Sequence, residues 1–340
     1  MKKRISYYVA ALVGKAMIHG MHLMKRNATN LPGEVALQLC PSLLANFQMP
    51  KHVIVVTGTN GKTTVTNLIG NVLKKCGNDI ITNAFGGNVD TGIASLLLAN
   101  SKLNGTLTAD TLLLEMDERS AQRILPYVKP DYLVCTNLQR DSMKRHEHVE
   151  CIFDFLNRNI PEKTVVISNA DDLVSSQLVP ENKHIYFGVA LLDGEVPTND
   201  SLVSDIVNCP NCGTRLQFSF RHYNHIGQAT CPNCGFCNAK ADFQVKKVEN
   251  CTATIQHHDT TEIYPIPNDR ITDIYNSAAV ITFLRTYGIS QQQVADCLKG
   301  SEIVKSRYDT LTSHGKPVYI TLAKGQNPIA CSAACDFVRK

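Results

Sequence analysis

The sequence predicts an α/β protein built on a mostly parallel sheet, and three observations carry that expectation. Between residues 51 and 187, short β-branched runs alternate with helix-like segments, the pattern that crossover connections between parallel strands leave in a sequence. The first run, Val53-Ile-Val-Val-Thr, leads directly into Gly58-Thr-Asn-Gly-Lys62-Thr-Thr64, a glycine turn that closes at the start of a helix. Several later runs end in polar residues, namely Glu115, Thr136 with Asn137, and Asn169 through Asp171 and Asp172. Ligand crevices of open α/β sheets lie at the carboxyl ends of the strands, so these tips are expected to line one site with the glycine turn.

Residues 1–50 read as a helical segment. Lys2, Lys3 and Arg4 precede an apolar run over 5–13 and imitate a secretory signal, but Lys15 interrupts the run and no clean small-residue cleavage site follows. A bilayer span needs about 20 apolar residues. The segment is therefore expected to pack on the body as an amphipathic helix, with contact to a membrane surface as the alternative. Strands are predicted over 52–56, 79–82, 111–115, 132–136, 164–168 and 184–187. The periodicity breaks near Gly188, so 200–248 reads as an inserted subdomain of a central domain spanning 51–300, with strand-like 252–256 and 262–266 after it. Residues 270–287 have helical apolar spacing closed by Gly288, and 290–298 opens on a capping serine. Within 301–340, residues 301–317 read as a linker and 318–322 as the first strand of a further α/β domain.

Composition excludes several classes of function. At 340 residues and 44% hydrophobic content the chain is an ordinary globular protein, and its net charge of +4 forms no long basic block that would mark a nucleic-acid binder. Thirteen cysteines are an odd number for a disulfide framework. Four of them have metal-ligand spacing, which fits a reducing, cytoplasmic setting.

Gly58, Thr59, Asn60, Gly61, Lys62, Thr63 and Thr64 compose a phosphate cradle. Backbone N–H groups at a glycine turn and helix N-terminus converge on phosphate oxygens, Lys62 adds a point charge, and Thr63 offers a hydroxyl to Mg²⁺. The usual spacing would put a further glycine where Val56 stands. Glu115, in Leu112-Leu-Leu-Glu115-Met-Asp117-Glu118, sits where a nucleotide-bound Mg²⁺ would find a carboxylate. The polar stretch 136–147 reads as an active-site loop. The strongest metal signal is Cys209-Pro-Asn-Cys212-Gly paired with Cys231-Pro-Asn-Cys234-Gly, 18 residues lying between the inner cysteines. Four thiolates make a closed, structural Zn²⁺ site, a zinc ribbon, with Cys237 as a bystander. Ribbons often bind nucleic acid, but this one holds few basic residues, Arg215, Arg221 and Lys240 among them.

The chain resembles the Mur ligase superfamily and, within it, the MurT branch, the ligase-like subunits of lipid II isoglutaminyl synthases. Thr57-Gly-Thr-Asn-Gly-Lys-Thr-Thr64 matches the family's phosphate loop, including the missing first glycine. Leu31-Pro-Gly33, Thr82-Asn83 with Gly86-Gly-Asn88, Thr136-Asn-Leu-Gln-Arg-Asp141, the zinc knuckles and Tyr275-Asn276 with Ala278-Ala279 extend the match over nearly the whole chain. The zinc ribbon discriminates this branch, since other Mur ligases and folylpolyglutamate synthetases share the loop without it. The resemblance implies an ATP-dependent carbon–nitrogen ligase that phosphorylates the α-carboxylate of D-glutamate in the lipid II stem peptide. Ammonia from a separate, GatD-type glutaminase subunit then displaces phosphate. It also implies that Thr63 and Glu115 hold Mg²⁺, that Asn276 lies near the nucleotide and that Arg307 comes from the hinge into the C-terminal domain. Another Mur or folylpolyglutamate-type ligase, or a zinc-ribbon nucleic-acid-binding NTPase, is the competing reading. By resemblance the substrate places the protein in the cytoplasm, at the inner face of the membrane.

Two departures from the family stand out. Ser142 occupies the position of a metal-binding histidine in many amino-acid-adding Mur ligases, which fits a relative using ammonia and argues against a second metal at that loop. Thr321-Leu-Ala-Lys324-Gly-Gln-Asn-Pro328 resembles the start of the C-terminal domain, and the sequence stops at Lys340. On that resemblance the aspartate serving the glutaminase falls beyond it, and the chain reads as a fragment or truncated product.

Overall fold

The computed structural model describes residues 5–84, 86–140, 148–197, 204–300, 308–321, 331–332 and 335. Strands β1 (His52–Thr57), β2 (Ile80–Thr82), β3 (Thr111–Glu115), β4 (Tyr132–Cys135), β5 (Val165–Asn169) and β6 (His184–Val189) lie parallel to their sheet neighbours. After a separate hairpin of β7 (Gln217–Tyr223) and β8 (Ile226–Thr230), the sheet continues with β9 (Phe243–Glu249), parallel to β6. Strands β10 (Thr252–His257) and β11 (Thr260–Pro265) close it as an antiparallel meander. The spatial order of the nine strands is β11-β10-β9-β6-β5-β4-β1-β3-β2.

The β-branched run of β1 is explained by its central place. Val53 and Val55 face a layer made by α1 (Ile5–Leu23), α2 (Leu31–Leu39), α4 (Asp90–Ala99), α5 (Ala121–Val128) and α6 (Val149–Asn157). Ile54 and Val56 face the opposite layer of α3 (Lys62–Lys75), α7 (Ile271–Tyr287) and α8 (Gln291–Leu298). A parallel strand covered on both faces must be apolar at every position, which is why the run shows no alternation. The turn at its end is therefore held at the carboxyl edge of a rigid sheet.

Lys15, which breaks the apolar run of the first helix, is not in solvent. Its Nζ donates to the carbonyl oxygens of Leu98 and Ser101, at the C-terminal end of α4, where a helix dipole favours a cation. Two boundaries differ from the sequence expectation. The main sheet resumes inside the span 200–248, because Phe243 and Val245 pair with Phe187 and Val189 of β6. Part of the expected linker 301–317 is strand: β12 (Tyr308–Ser313) pairs antiparallel with β13 (Lys316–Thr321). His314 and Gly315, with φ of 50° and 74°, form the two-residue turn whose twist suits a hairpin.

Candidate functional site

At the end of β1 the chain turns through Gly58 and Gly61, with φ of 125° and 87°, and enters α3 at Lys62. Both glycines are needed for space as well as conformation. A Cβ at Gly58 would lie 2.2 Å from Thr136 Oγ1, and one at Gly61 would lie 2.1 Å from Asn276 Oδ1. The loop after β4 thus packs on one side of the cradle and α7 on the other. Residues 136–139 clamp it: the Thr59 N–H donates to Asn137 O at 2.8 Å, the Asn60 N–H to Asn137 Oδ1 at 3.2 Å, and Thr136 Oγ1 to Asn60 O at 2.6 Å. The Gln139 N–H donates to Thr59 Oγ1 at 2.9 Å.

Lys62 is buried and its Nζ donates to Gly58 O and to Glu118, at 3.2 Å from Oε1 and 3.4 Å from Oε2. Glu118 is buried too, so this carboxylate holds the ammonium against the loop. Glu118 carries no local signal of this role in the sequence, because its pairing with Lys62 spans 56 residues. Glu115 ends β3, where its Oε1 accepts from Asn88 Nδ2 at 2.9 Å. Asn83 fixes the same strand end, accepting from the Glu115 N–H at 2.8 Å and donating to Glu115 O at 2.8 Å. Asp117 is bound by Arg119 through Nε at 3.0 Å and Nη2 at 3.1 Å. Burial pushes the Asp117 pKa up, but the Arg119 hydrogen bond and charge outweigh it and leave the carboxyl below its ordinary value.

Thr63 is exposed on the first turn of α3. Thr64, the next residue of the cradle, is half-buried. The lysine, the helix N-terminus and a glycine turn held in left-handed φ fit a polyphosphate, and the Thr63 hydroxyl and the Glu115 carboxylate are hard-oxygen donors suited to Mg²⁺. Arg307, Asp141 and Ser142 lie outside the described residues.

Not every polar strand tip opens into this crevice. Asp171 and Asp172 are fully buried and form a seam between the sheet and the cysteine-bearing insert. Asp171 Oδ2 accepts from the Val189 N–H at 2.7 Å and Tyr275 Oη at 2.8 Å, and its Oδ1 accepts from Gln228 Nε2 at 2.6 Å. Burial is the larger influence and raises its pKa despite those bonds. Asp172 Oδ2 accepts from the Leu138 N–H at 2.6 Å, while its Oδ1 accepts from the Val174 N–H at 3.0 Å and meets His225 Nε2 at 3.0 Å. Burial pushes the Asp172 pKa up, but His225 and the two backbone donors outweigh it and hold it below the ordinary value.

The Sγ atoms of Cys209, Cys212, Cys231 and Cys234 all lie within 4.8 Å of one another. Two of the pairs, Cys209 with Cys234 and Cys212 with Cys231, are 3.5 Å apart. A tetrahedron with Zn–S of about 2.3 Å has S–S edges of about 3.8 Å, so the cluster has the size of a zinc site. The knuckles repeat one geometry: Gly213 and Gly235 have φ of 73° and 74°, and their N–H groups donate to Cys209 O and Cys231 O. Among the described residues, Leu173, Cys209, Leu216, Ala229 and Cys231 form the buried apolar cluster there, with Ile206, Phe218 and Phe236 partly buried against it, a core small enough to depend on metal for order. Cys237 is exposed and is not part of the described cluster.

Residues 56–220 match the Mur ligase middle domain, a span that begins in β1 and runs through the phosphate loop and the ends of β3 and β4. A pseudomurein peptide ligase type C from Methanothermus fervidus has the same fold, with a TM-score of 0.67 and 20% identity over 83% of this chain and 56% of that one. A MurF ligase from Thermotoga maritima, solved in complex with ADP, superposes with a TM-score of 0.54 and 16% identity over 91% of this chain and 61% of that one. The chain therefore spans little more than half the length of these solved ligases. The chain belongs to the Mur ligase family. Within it, the lipid II isoglutaminyl synthase (glutamine-hydrolyzing) subunit MurT of Streptococcus pneumoniae R6 is 30% identical over 334 residues, 96% of this chain and 73% of that protein. The MurT subunit of Staphylococcus aureus COL is 29% identical over 98% of this chain and 74% of its own length.

Proposed function

We propose that this chain is the ligase-type subunit that amidates the D-glutamate α-carboxylate of a lipid II stem peptide, using ATP and ammonia supplied by a GatD-type glutaminase. The observation that carries the reading is the join between a buried Lys62–Glu118 phosphate loop and a four-cysteine insert, in a chain similar to MurT subunits over 96% of its length. A carboxylate is a poor electrophile, and phosphorylation gives it a leaving group. The substrate carboxylate would take the γ-phosphoryl group from ATP, releasing ADP. Ammonia would then attack the acyl carbon, phosphate would leave, and the attacking nitrogen would lose a proton to give the amide.

The chain's own residues support the first step by position and charge. The N–H groups of the cradle and the α3 N-terminus would hold the phosphates, and Lys62 would exchange its contact with Gly58 O for a phosphate oxygen while Glu118 keeps it in reach. Asn276, packed against Gly61, would border the nucleotide, and Arg307 would come from the hinge. Mg²⁺, held by Thr63 and Glu115, would neutralise charge on the transferring group. The domain division follows the same reading, with a helical segment over 1–50, a central ATP-binding domain over 51–300 bearing the insert, and the start of a C-terminal domain over 301–340. Arg221, one of the few basic residues of the ribbon, donates to Ser204 and stacks over Phe218 with 4.3 Å to the ring centroid, which disfavours a nucleic-acid interface.

The test is nucleotide binding by calorimetry in Lys62→Ala and in Lys62→Ala/Glu118→Gln, the second relieving the carboxylate that the first leaves unpaired. ATP affinity should fall at least a hundredfold in both. Unchanged affinity in a folded double variant would end the phosphate-loop assignment. Formation of D-isoglutamine by the chain with a glutaminase partner tests the substrate assignment separately.

A further inference from the structure

Helix α1 is apolar on two faces. One face, with Tyr7, Ala10, Ala11, Gly14 and Ile18, is buried against α2, α4 and Phe47. The other carries Ile5, Val9, Leu12 and Leu23, which are 83%, 45%, 55% and 74% exposed, with Tyr8 beside Val9. These positions follow the 3.6-residue period, so they form one stripe along the outer side of the helix. Exposed Ala16 and His19 lie on the same side between Leu12 and Leu23, and such a stripe left in water on a helix already anchored by its opposite side marks a contact surface.

Charge identifies the contact. Residues 1–33 contain six of the 34 Lys and Arg residues and none of the 30 acidic ones, so the rest of the chain carries a net −2. The first acidic residue is Glu34, on α2. Lys2, Lys3 and Arg4 precede α1 in sequence, exposed His22 lies in its last turn, and exposed Lys25 and Arg26 lie beyond its C-terminal end. Lys15, the cation between these groups, is turned inward onto α4. An apolar stripe bracketed by cations, without carboxylates, is the composition of a helix that lies in the interface of an anionic bilayer. No described helix is long and apolar enough to cross a membrane. A second copy of the chain is disfavoured as occupant, since pairing two such helices would juxtapose two segments of the same high positive charge.

We infer that α1 is a membrane-surface helix, seating Ile5, Val9, Leu12 and Leu23 among the acyl chains of an anionic bilayer with Lys25 and Arg26 against the headgroups. The placement has a consequence for the site, and that part rests on the proposed lipid-linked substrate. Thr29, six residues beyond the end of α1, lies against Gly87, where a Cβ would meet its Cγ2 at 3.0 Å. Gly87 precedes Asn88, the partner of Glu115. A docked α1 would hold this wall of the site within one short segment of the bilayer surface, where a lipid-linked peptide is presented.

The chain has no tryptophan, so Leu12→Trp supplies a single reporter. Its emission should shift to the blue on adding vesicles of phosphatidylcholine with one third phosphatidylglycerol, and should not shift with pure phosphatidylcholine. In co-sedimentation the unmodified chain should bind the anionic vesicles, with affinity falling at least tenfold in Val9→Glu/Leu12→Glu and in Lys25→Glu/Arg26→Glu. Thermal unfolding of these surface variants should match that of the parent chain. Absence of vesicle binding by the parent, or binding indifferent to the Leu12 change, would overturn the inference. So would a dimer in solution that Leu12→Glu dissociates. The Lys62→Ala/Glu118→Gln variant should still bind vesicles, which separates this result from the fate of the ligase assignment. In the ligase assay, Leu12→Glu should lower turnover of vesicle-borne substrate and leave a soluble stem peptide unaffected.

Discussion

Asp172→Asn is the sharpest test of how the insert is joined to the site. The carboxylate is fully buried and takes three hydrogen bonds, from the Leu138 N–H at 2.6 Å, the Val174 N–H at 3.0 Å and His225 Nε2 at 3.0 Å. An asparagine has the same shape but must turn an NH₂ toward one of these donors. A buried donor left without an acceptor costs about 1–3 kcal/mol. Removing the side chain altogether, in Asp172→Ala, breaks a buried pair and should cost about 3–5 kcal/mol, a large share of a domain stability of about 5–15 kcal/mol. Urea unfolding followed by circular dichroism measures both. Nucleotide affinity is the second readout, because Leu138 lies between Asn137 and Gln139, the residues that clamp Thr59 and Asn60. Asp172→Asn should weaken ATP binding about tenfold, the equivalent of about 1.4 kcal/mol. The pH dependence has a fixed sign. The folded-state pKa is depressed, so the stabilisation is fully present above the unfolded value of about 3.9 and is lost as pH falls below it through the folded pKa. The stability gap between parent and Asp172→Asn should therefore narrow as pH falls below about 3.9. A loss under about 0.5 kcal/mol, or a destabilised variant with unaltered ATP affinity, would refute the coupling through Leu138.

Gly61→Ala meets both a left-handed φ of 87° and Asn276 Oδ1 at 2.1 Å from the new Cβ, so calorimetry should show ATP affinity reduced at least tenfold. Native mass spectrometry should find one zinc per chain, lost in Cys209→Ser/Cys231→Ser, with the segment 209–237 then cut faster by protease; a metal-free parent chain would remove the ribbon assignment. Lys15→Met keeps the apolar stem but gives up two contacts to the carbonyls of Leu98 and Ser101, and should lower the unfolding free energy by about 1–2 kcal/mol in a urea titration.

What could be read from the sequence is what local chemistry encodes. The β1 run, the glycine turn and the first turn of α3 are contiguous, and the paired Cys-Pro-Asn-Cys-Gly units carry their own spacing, so each announces itself without knowledge of the rest. Glu118 does not, since its partner Lys62 is brought to it only by the pairing of β1 with β3. Asp171 and Asp172 were legible as a polar strand tip, but their neighbours come from β6, β8, α7 and the loop after β4, which pattern and propensity cannot place together. Phe243–Glu249 alternates like an ordinary edge segment, and only the sheet shows it to be the hinge between parallel and antiparallel halves. Lys15 read as an interruption because its acceptors lie 83 and 86 residues further along the chain.

The seam at the end of β5 also bears on how this insert could be moved or removed. Adjacent carboxylates reach different supports of the same loop: Asp172 the residues that clamp Thr59 and Asn60, Asp171 the Tyr275 that precedes Asn276. The insert supplies His225 to one and Gln228 to the other, while Asn238 Nδ2 donates to Ala170 O at 2.8 Å. Cutting the hairpin out as a cassette would strip partners from two buried acids at once, and grafting it onto a ligase without that acid pair would bring in a histidine and an amide with nothing to meet. The ribbon is thus not a modular appendage, and a minimal version of this ligase would have to be redesigned from the strand tip outward.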